Sequence, residues 1–415
     1  MLNQSTKIFF FQDFNYIDPI AETTHSNMNM IVSNKIIQKI GTDIEKPENS
    51  IEIDLKSQWV LPGLINNHCH LSGSGKPLPK FIKSDKLVNF IQKSKIFKKI
   101  MYNTMKKSAF TALMSGTTTV RSLGEADISV FDLRDRINSG EELGARIFST
   151  GKAIALKADH GEIICIEITN IEEAERAVKL LIDEGADCIK IMATGAVTGA
   201  KTLDSAGKAE LSPEIIKAIC DIAHKHKIRV TAHSEGNEGA LNSISGGIDS
   251  LEHGSNYDDN ILKQMKEKNI GTIPTLAAGY AYSSHSRKET GLTEIEVLND
   301  HRVIKNIDIG LRNAIKFGEI LIGAGDDAGI PLVYHGKIAQ EINMLHNDYG
   351  LSPIKCIQCA TINNAKIMGR EDKLGSLDVG KFADFIVFTP DRNPLDDLDH
   401  LFHPDSVYKD GLKIR

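Results

Sequence analysis

Short runs of β-branched and apolar residues alternate along the chain with stretches whose apolar positions recur at helical spacing. That is the pattern of βα units on a parallel sheet. The runs fall at 60–68, 117–123, 145–150, 187–193, 228–233, 248–253, 271–274 and 319–323. Between them, 171–184 carries acids early and apolar Ala177, Leu180 and Leu181 at helical spacing, and 212–226 opens on Ser212-Pro213, a cap followed by a helix-compatible proline. Eight strands with intervening helices predict a closed (β/α)8 TIM barrel over 59–365, with reactive groups at the C-terminal ends of the strands. The flanks, 1–58 and 366–415, hold only short alternating pieces such as 7–11, 51–55 and 385–388. Each is too small for its own core, so the two ends are expected to pair into one composite β-sandwich.

The chain has 415 residues, a formal charge of −6, 41% hydrophobic and 25% charged residues, the balance of an ordinary soluble globular protein, and the alternating pattern above sets the expected class as α/β. No apolar run approaches the roughly 18 residues of a membrane span, and the acidic balance argues against a nucleic-acid partner. Six scattered cysteines and an N-terminus without the signal-peptide pattern predict a reducing, cytoplasmic location. Cys356 and Cys359 share one helix face behind Ser352-Pro353, which fits buried packing before redox or metal chemistry. From Lys76 to Lys107 there are ten lysines against one acid, Asp85. This insertion reads as the solvated face of an amphipathic helix, or as a lure for anions at the barrel mouth. Two phosphate-loop lookalikes, 72–77 and 195–201, lack the glycines such a loop requires.

Candidate chemistry gathers at the predicted strand ends. His68-Cys69-His70 closes the first strand, and alternate strand residues share a side, so both imidazoles project together into the barrel mouth. His233 ends the fifth strand, His253 the sixth, and Asp327 follows the eighth. Four strand ends thus offer nitrogen or oxygen ligands to one face, which selects a metal site over isolated buried histidines. Lys190 lies between Ile189 and Ile191 in the fourth strand, where it either snorkels outward or points inward as an unpaired charge. Turned inward, its amine loses its proton readily and can take up carbon dioxide as a carbamate, an anionic two-oxygen ligand able to bridge two metal ions.

Further motifs extend the pattern: Leu61-Pro62-Gly63-Leu64-Ile65, Gly116-Thr117-Thr118-Thr119-Val120-Arg121, Gly185-Ala186-Asp187-Cys188 before Ile189-Lys190, Glu252-His253-Gly254, Pro274-Thr275-Leu276, Gly325-Asp326-Asp327-Ala328-Gly329 and Gly380-Lys381-Phe382-Ala383-Asp384. Over nearly the whole chain these residues resemble the amidohydrolase superfamily, in particular its imidazolonepropionase-related branch of metal-dependent Xaa-Pro and Xaa-Arg/Lys dipeptidases. The resemblance implies a distorted TIM barrel with a β-sandwich from both chain ends. It implies two divalent metal ions, one on His68, His70 and Asp327 and one on His233 and His253, bridged by N6-carboxylated Lys190. Zinc suits such nitrogen-rich open sites.

The activity implied is hydrolysis of an amide bond in a dipeptide, an N-acyl amino acid or another small molecule by a homo-oligomer, with Asp327 as the catalytic proton carrier. Hydrolysis of a cyclic amide, as by an imidazolonepropionase or hydantoinase, is the alternative, and a non-catalytic scaffold a more distant one. His160, in Lys157-Ala158-Asp159-His160-Gly161, matches the family's turn after strand three and is a candidate substrate or oxyanion contact. Glu235, two residues after His233, is a candidate for binding a cationic substrate group. Arg121, ending strand two, pairs with either a substrate carboxylate or a structural acid. Two positions depart from the family: Asn66-Asn67 stands where an aspartate is usual, and Gly195-Ala196 where a glycine pair is.

Overall fold

The computed structural model describes residues 7–77, 94–157 and 163–415. It divides into two compact units, one from residues 1–66, 111–119 and 336–415, the other from 67–110 and 120–335. No helix among the described residues is long and apolar enough to cross a membrane.

The first unit begins with β1 (Ile8–Asp18), β2 (Thr23–Ser33), β3 (Ile36–Gly41) and β4 (Ile51–Pro62). β5 (Leu64–Cys69) and β6 (Thr117–Ser122) have residues in both units, and the second unit continues with β7 (Arg146–Ser149), β8 (Ala153–Leu156), β9 (Cys165–Ile168), β10 (Cys188–Met192), β11 (Arg229–Ser234), β12 (Ser250–His253) and β13 (Gly271–Ile273). The chain closes with β14 (Phe385–Phe388), β15 (Ser406–Lys409) and β16 (Leu412–Lys413).

Both ends of the chain meet in one seven-stranded mixed sheet of order β16-β15-β14-β4-β1-β2-β3, with Ile386 opposite Leu61 in the antiparallel β14–β4 pair. Its aromatic core explains why neither end needs to fold alone. Phe11 meets Phe385 edge-on at 5.1 Å, and Phe385 stacks on Tyr408 at 4.5 Å. Burying each such ring is worth about 1.5–3 kcal/mol, and the Phe11–Phe385 pair joins the two ends of the chain.

The second unit holds a six-stranded parallel sheet of order β13-β12-β11-β10-β8-β9, and β5, β6 and β7 form a three-stranded sheet. Helices between the parallel strands start where the sequence predicts: the Asn170 side chain caps Ile171–Asp183, and Ser212 caps Pro213–Lys225. Ala174, Ala177, Val178 and Leu181 make the buried stripe of the first helix, whereas Leu180 turns outward and is 49% exposed.

The predicted first strand is two strands. Gly63 breaks it, because its backbone passes so near Thr118 that an added Cβ would lie 2.2 Å from the hydroxyl. The predicted eighth strand shrinks to a single parallel bridge between Thr272 and Ile322. β8 and β9 were not anticipated, since four-residue strands leave too short a pattern to read.

Candidate metal centre

The parallel register sets the site. Lys190 on β10 faces Thr231 on β11, and Thr231 faces Ser250 on β12, while Ser234 faces His253. Lys190 turns inward: it is 2% exposed, lines a cavity of about 160 Å3, and has no carboxylate in ion-pair contact among the described residues. Burial pushes its ammonium down to about 8 against the pull of Glu252 and Asp327.

His68, His70, His233, His253 and Asp327 line the same cavity. The imidazoles form a continuous array, with ring centroids 5.6 Å apart for His68 and His70, 4.9 Å for His68 and His253, and 4.4 Å for His253 and His233. Donor atoms fall into two groups, His68, His70 and Asp327, and His233, Glu235 and His253, each within 4.8 Å of one another.

In the first group every ring is oriented from behind. Nδ1 of His68 donates to Glu252 Oε2 at 2.7 Å, and Nδ1 of His70 to the Gly124 carbonyl at 2.9 Å. Both Nε2 atoms therefore face Asp327 Oδ1, at 3.3 and 3.1 Å, without an aligned hydrogen bond to that oxygen. Burial pushes His68 down to about 4, with the Lys190 charge adding to it, and so keeps the ring a neutral donor. For His70 the Asp327 carboxylate outweighs burial and raises the ring. Burial alone would raise the Asp327 carboxyl, but His68 and His70 hold it well below the usual carboxylate range.

Glu252 anchors this group, and its role was not read from the sequence. It is fully buried, accepts from Arg121 Nη2 at 2.5 Å and from Thr231 Oγ1, and is held down to about 2, burial being outweighed by Arg121 and His68. Adjacent strand residues ordinarily point to opposite faces, but His253 adopts φ 66°, a left-handed conformation that lets both Glu252 and His253 address the site. Thr275 at φ 50° and Asp327 at φ 59° share this conformation, as expected where a site stores backbone strain.

The second group is less supported. His253 Nδ1 meets Thr275 Oγ1 at 2.8 Å, and burial beside His233 holds that imidazole well below its usual value. His233 Nε2 and Glu235 Oε2 are buried without a partner, and Glu235 Oε1 approaches His233 only to 3.7 Å. Buried lone pairs facing one another without a shared proton are the signature of a place for cations, so the residues fit divalent metal.

The three substrate candidates separate. Glu235 lines the cavity. Arg121 is absent from its lining: the guanidinium is 3% exposed and spent on Glu252, the Asn67 carbonyl and Ser250, so it takes the structural alternative. His160 lies outside the described residues, as do four of the ten lysines of the 76–107 insertion. The Cys356 and Cys359 thiols are buried, and burial pushes Cys359 up to about 12, which leaves them as packing groups. Asp300, on the helix Glu294–Phe317, lines the cavity too, and burial beside Glu235 pushes its carboxyl up to about 7. No motif marks it in the sequence.

Comparison with known proteins agrees with this geometry. A candidate prolidase from Bifidobacterium longum is 33% identical and superposes with a TM-score of 0.84 over 98% of this chain and 94% of its own. A Xaa-Pro dipeptidase crystallised with methionine in its active site is 29% identical, with a TM-score of 0.85 over 99% and 100%. The ochratoxinase of Aspergillus niger is 27% identical, the match covering 92% of this chain and 81% of the enzyme. The model of the Amidohydrolase family matches residues 59–413. The chain belongs to the Amidohydrolase family and is a hydrolase acting on carbon–nitrogen bonds.

Proposed function

We propose that the protein is a binuclear metallohydrolase that cleaves an amide bond in a small substrate, a dipeptide of the Xaa-Pro or Xaa-Arg/Lys type or an N-acyl amino acid. One observation carries the reading: two groups of histidine and carboxylate donors share a single cavity with a buried, unpaired lysine. Relatives that act as a Xaa-Pro dipeptidase and an ochratoxinase support it. The fold in this reading is a distorted TIM barrel over 59–365, with a β-sandwich from 1–58 and 366–415 whose strands join across the chain ends. Six buried free cysteines suit a cytoplasmic setting, and the family suggests a homo-oligomer.

His68, His70 and Asp327 hold one ion and His233 and His253 the other. Divalent ions, zinc by the nitrogen-rich donor set, supply Lewis acidity there, lowering the pKa of water and polarising a carbonyl. The Lys190 amine bonds to the carbon of carbon dioxide and releases a proton, and the resulting carbamate offers two oxygens to share. Arg121 and Glu252 keep His68 in the tautomer whose Nε2 lone pair faces the site. Asp327 accepts the proton of the attacking water and delivers it to the leaving nitrogen, which must depart protonated. A panel of dipeptides, N-acyl amino acids and cyclic amides, assayed with zinc-reconstituted enzyme, tests the reading. Turnover of linear amides is expected; cleavage of cyclic amides alone overturns it.

A further inference from the structure

We propose that Glu125 is a positioning residue for the first donor group, a carboxylate that holds the main chain after His70 so that this imidazole and Asp327 meet an ion together. The inference rests on the metallohydrolase reading above and extends it to a residue outside the cavity lining.

Of the two histidines in that group, His68 is fully packed, its side chain 1% exposed, whereas that of His70 is 17% exposed. Packing does less to fix the second ring, so hydrogen bonds do the holding. Its Nδ1 donates to the Gly124 carbonyl at 2.9 Å, and its main-chain amide to the Ala328 carbonyl at 2.7 Å. Glu125, the residue after Gly124, holds the chain beyond it. Glu125 Oε1 accepts from the Leu71 amide and Oε2 from the Ser72 amide, each at 2.7 Å, and Ser122 Oγ also donates to Oε1. The peptide planes before and after His70 are thus both pinned, which fixes the direction in which its side chain leaves the backbone.

Glu125 is fully buried, and its carboxylate has no bonded cation among the described residues. A charge buried in this way costs more than a neutral acceptor in the same place would. A carboxylate offers instead charge-assisted bonds, roughly twice as strong as neutral ones, and two oxygens in one plane that grip consecutive amides at once. The grip is reciprocal. Ser72 Oγ accepts from the Ala126 amide at 3.2 Å, and the Glu125 amide is itself fixed on the Gly151 carbonyl at 2.8 Å.

The turn held by Glu125 is also joined to the segment of Asp327. The Asp327 amide donates to the His68 carbonyl at 2.9 Å, the Gly75 amide to the Gly329 carbonyl at 3.2 Å, and the Leu332 amide to the Gly75 carbonyl at 2.6 Å. His335 Nε2 donates to the Gly73 carbonyl at 3.0 Å. Gly73 passes so near this segment that an added Cβ would lie 2.3 Å from the Gly329 carbonyl oxygen. A displacement of residues 71–75 therefore moves His70 and Asp327 together. His233 and His253 make no hydrogen bond to the turn among the described residues.

Calorimetric zinc titration of the chelated protein tests the proposal, with wild type beside Glu125→Gln, which keeps the shape but offers one acceptor oxygen to two amides. The ion of the first group is identified as the equivalent that His70→Ala weakens. Glu125→Gln should weaken that ion about 10- to 100-fold, the effect of losing a ligand's supporting contact, and leave the other as it is. Cobalt(II) in the first group should show a changed visible spectrum in the variant, because its ligands no longer converge in the same geometry. Amide hydrogen exchange should quicken across residues 70–75 and not elsewhere. Ser122→Ala removes the hydroxyl that Glu125 and the Leu71 amide share. It should move affinity and exchange in the same direction by a smaller step, and it carries the test if Glu125→Gln fails to fold. Equal weakening of both ions, or an unchanged first-group ion, overturns the proposal and leaves Glu125 a structural acid. A wild-type protein that binds no divalent ion overturns the hydrolase reading as well, so the two failures are told apart.

Discussion

The two donor groups at the centre of the second unit are built differently. In the first, His68 is tied through Nδ1 to Glu252, His70 to the Gly124 carbonyl, and Asp327 sits between their outward nitrogens. In the second, His253 is tied to Thr275, but His233 Nε2 and Glu235 Oε2 have no partner. A donor set locked from behind loses little freedom when an ion arrives, whereas an unsupported set must be organised by the ion. The first group is organised by the protein itself; the second, on the proposed reading, would be completed by the ion it holds.

Asp327 belongs to the first group and, in the proposed reaction, also carries the proton, so its loss should have the largest effect. Asp327→Asn is expected to lower kcat at least ~10³-fold, about 4 kcal/mol of transition-state stabilisation, while the fold persists. Rate measurements beside circular dichroism check this; turnover within tenfold of wild type would remove Asp327 from the chemistry.

Metal titration separates the groups directly. After chelation, the first equivalent of zinc should bind more tightly than the second, because its ligands are already oriented. His233→Ala should then abolish the weaker equivalent and spare the tighter one, and His70→Ala should weaken the tighter one. Calorimetry with elemental analysis reads both numbers. Two equal sites in the wild-type protein would erase the distinction between the groups.

Glu252 is bonded to the donor set at His68. Glu252→Gln should cost 10- to 100-fold in affinity for the tighter ion, the usual price of losing a ligand's supporting partner. Arg121→Lys should follow it in smaller measure, since an ammonium cannot reproduce the fork that joins Glu252, Asn67 and Ser250. If Glu252→Gln shifted both ions equally, the support would belong to the whole cavity.

Much of this was legible in the sequence, for a physical reason. Strand alternation pairs His68 with His70 and strand-end position sets His233 and His253 on the same face, whereas Asp327 lies beyond a predicted strand that is a single bridge, and Lys190 between isoleucines reads equally as a snorkelling or an inward charge until the fold is known. Glu252 was hidden because alternation turns it away from His253; only the left-handed backbone at His253 brings both to the site. Arg121 offered two partners, and which one it meets depends on a strand 131 residues away. Asp300 carries no local signal, since an acid in a charged helix looks solvated until the helix is packed. The break at Gly63 was equally silent: a glycine inside an apolar run reads as continuous strand until the approach of Thr118 is known.

The smallest effect tests the unsupported side of the cavity through stability alone. Burial beside Glu235 raises the Asp300 carboxyl from 3.8 to about 7, so at intermediate pH the folded protein keeps a proton that the unfolded chain has released. The contribution of Asp300 is then fully present below about pH 4 and is lost as the pH rises toward 7, above which the penalty is constant. Taken in full, carrying the carboxyl over that range represents roughly 4 kcal/mol. Because Asp300 faces a cavity and not packed protein, about 1–2 kcal/mol is expected. Asp300→Asn should remove this slope, so that the metal-free variant gains on the wild type between pH 4 and pH 7 and holds the gain at pH 8, as measured by urea unfolding across that range. A variant that tracks the wild type at every pH would mean that Asp300 already has its counter-charge in the folded protein, and the second side of the cavity would then be as self-sufficient as the first.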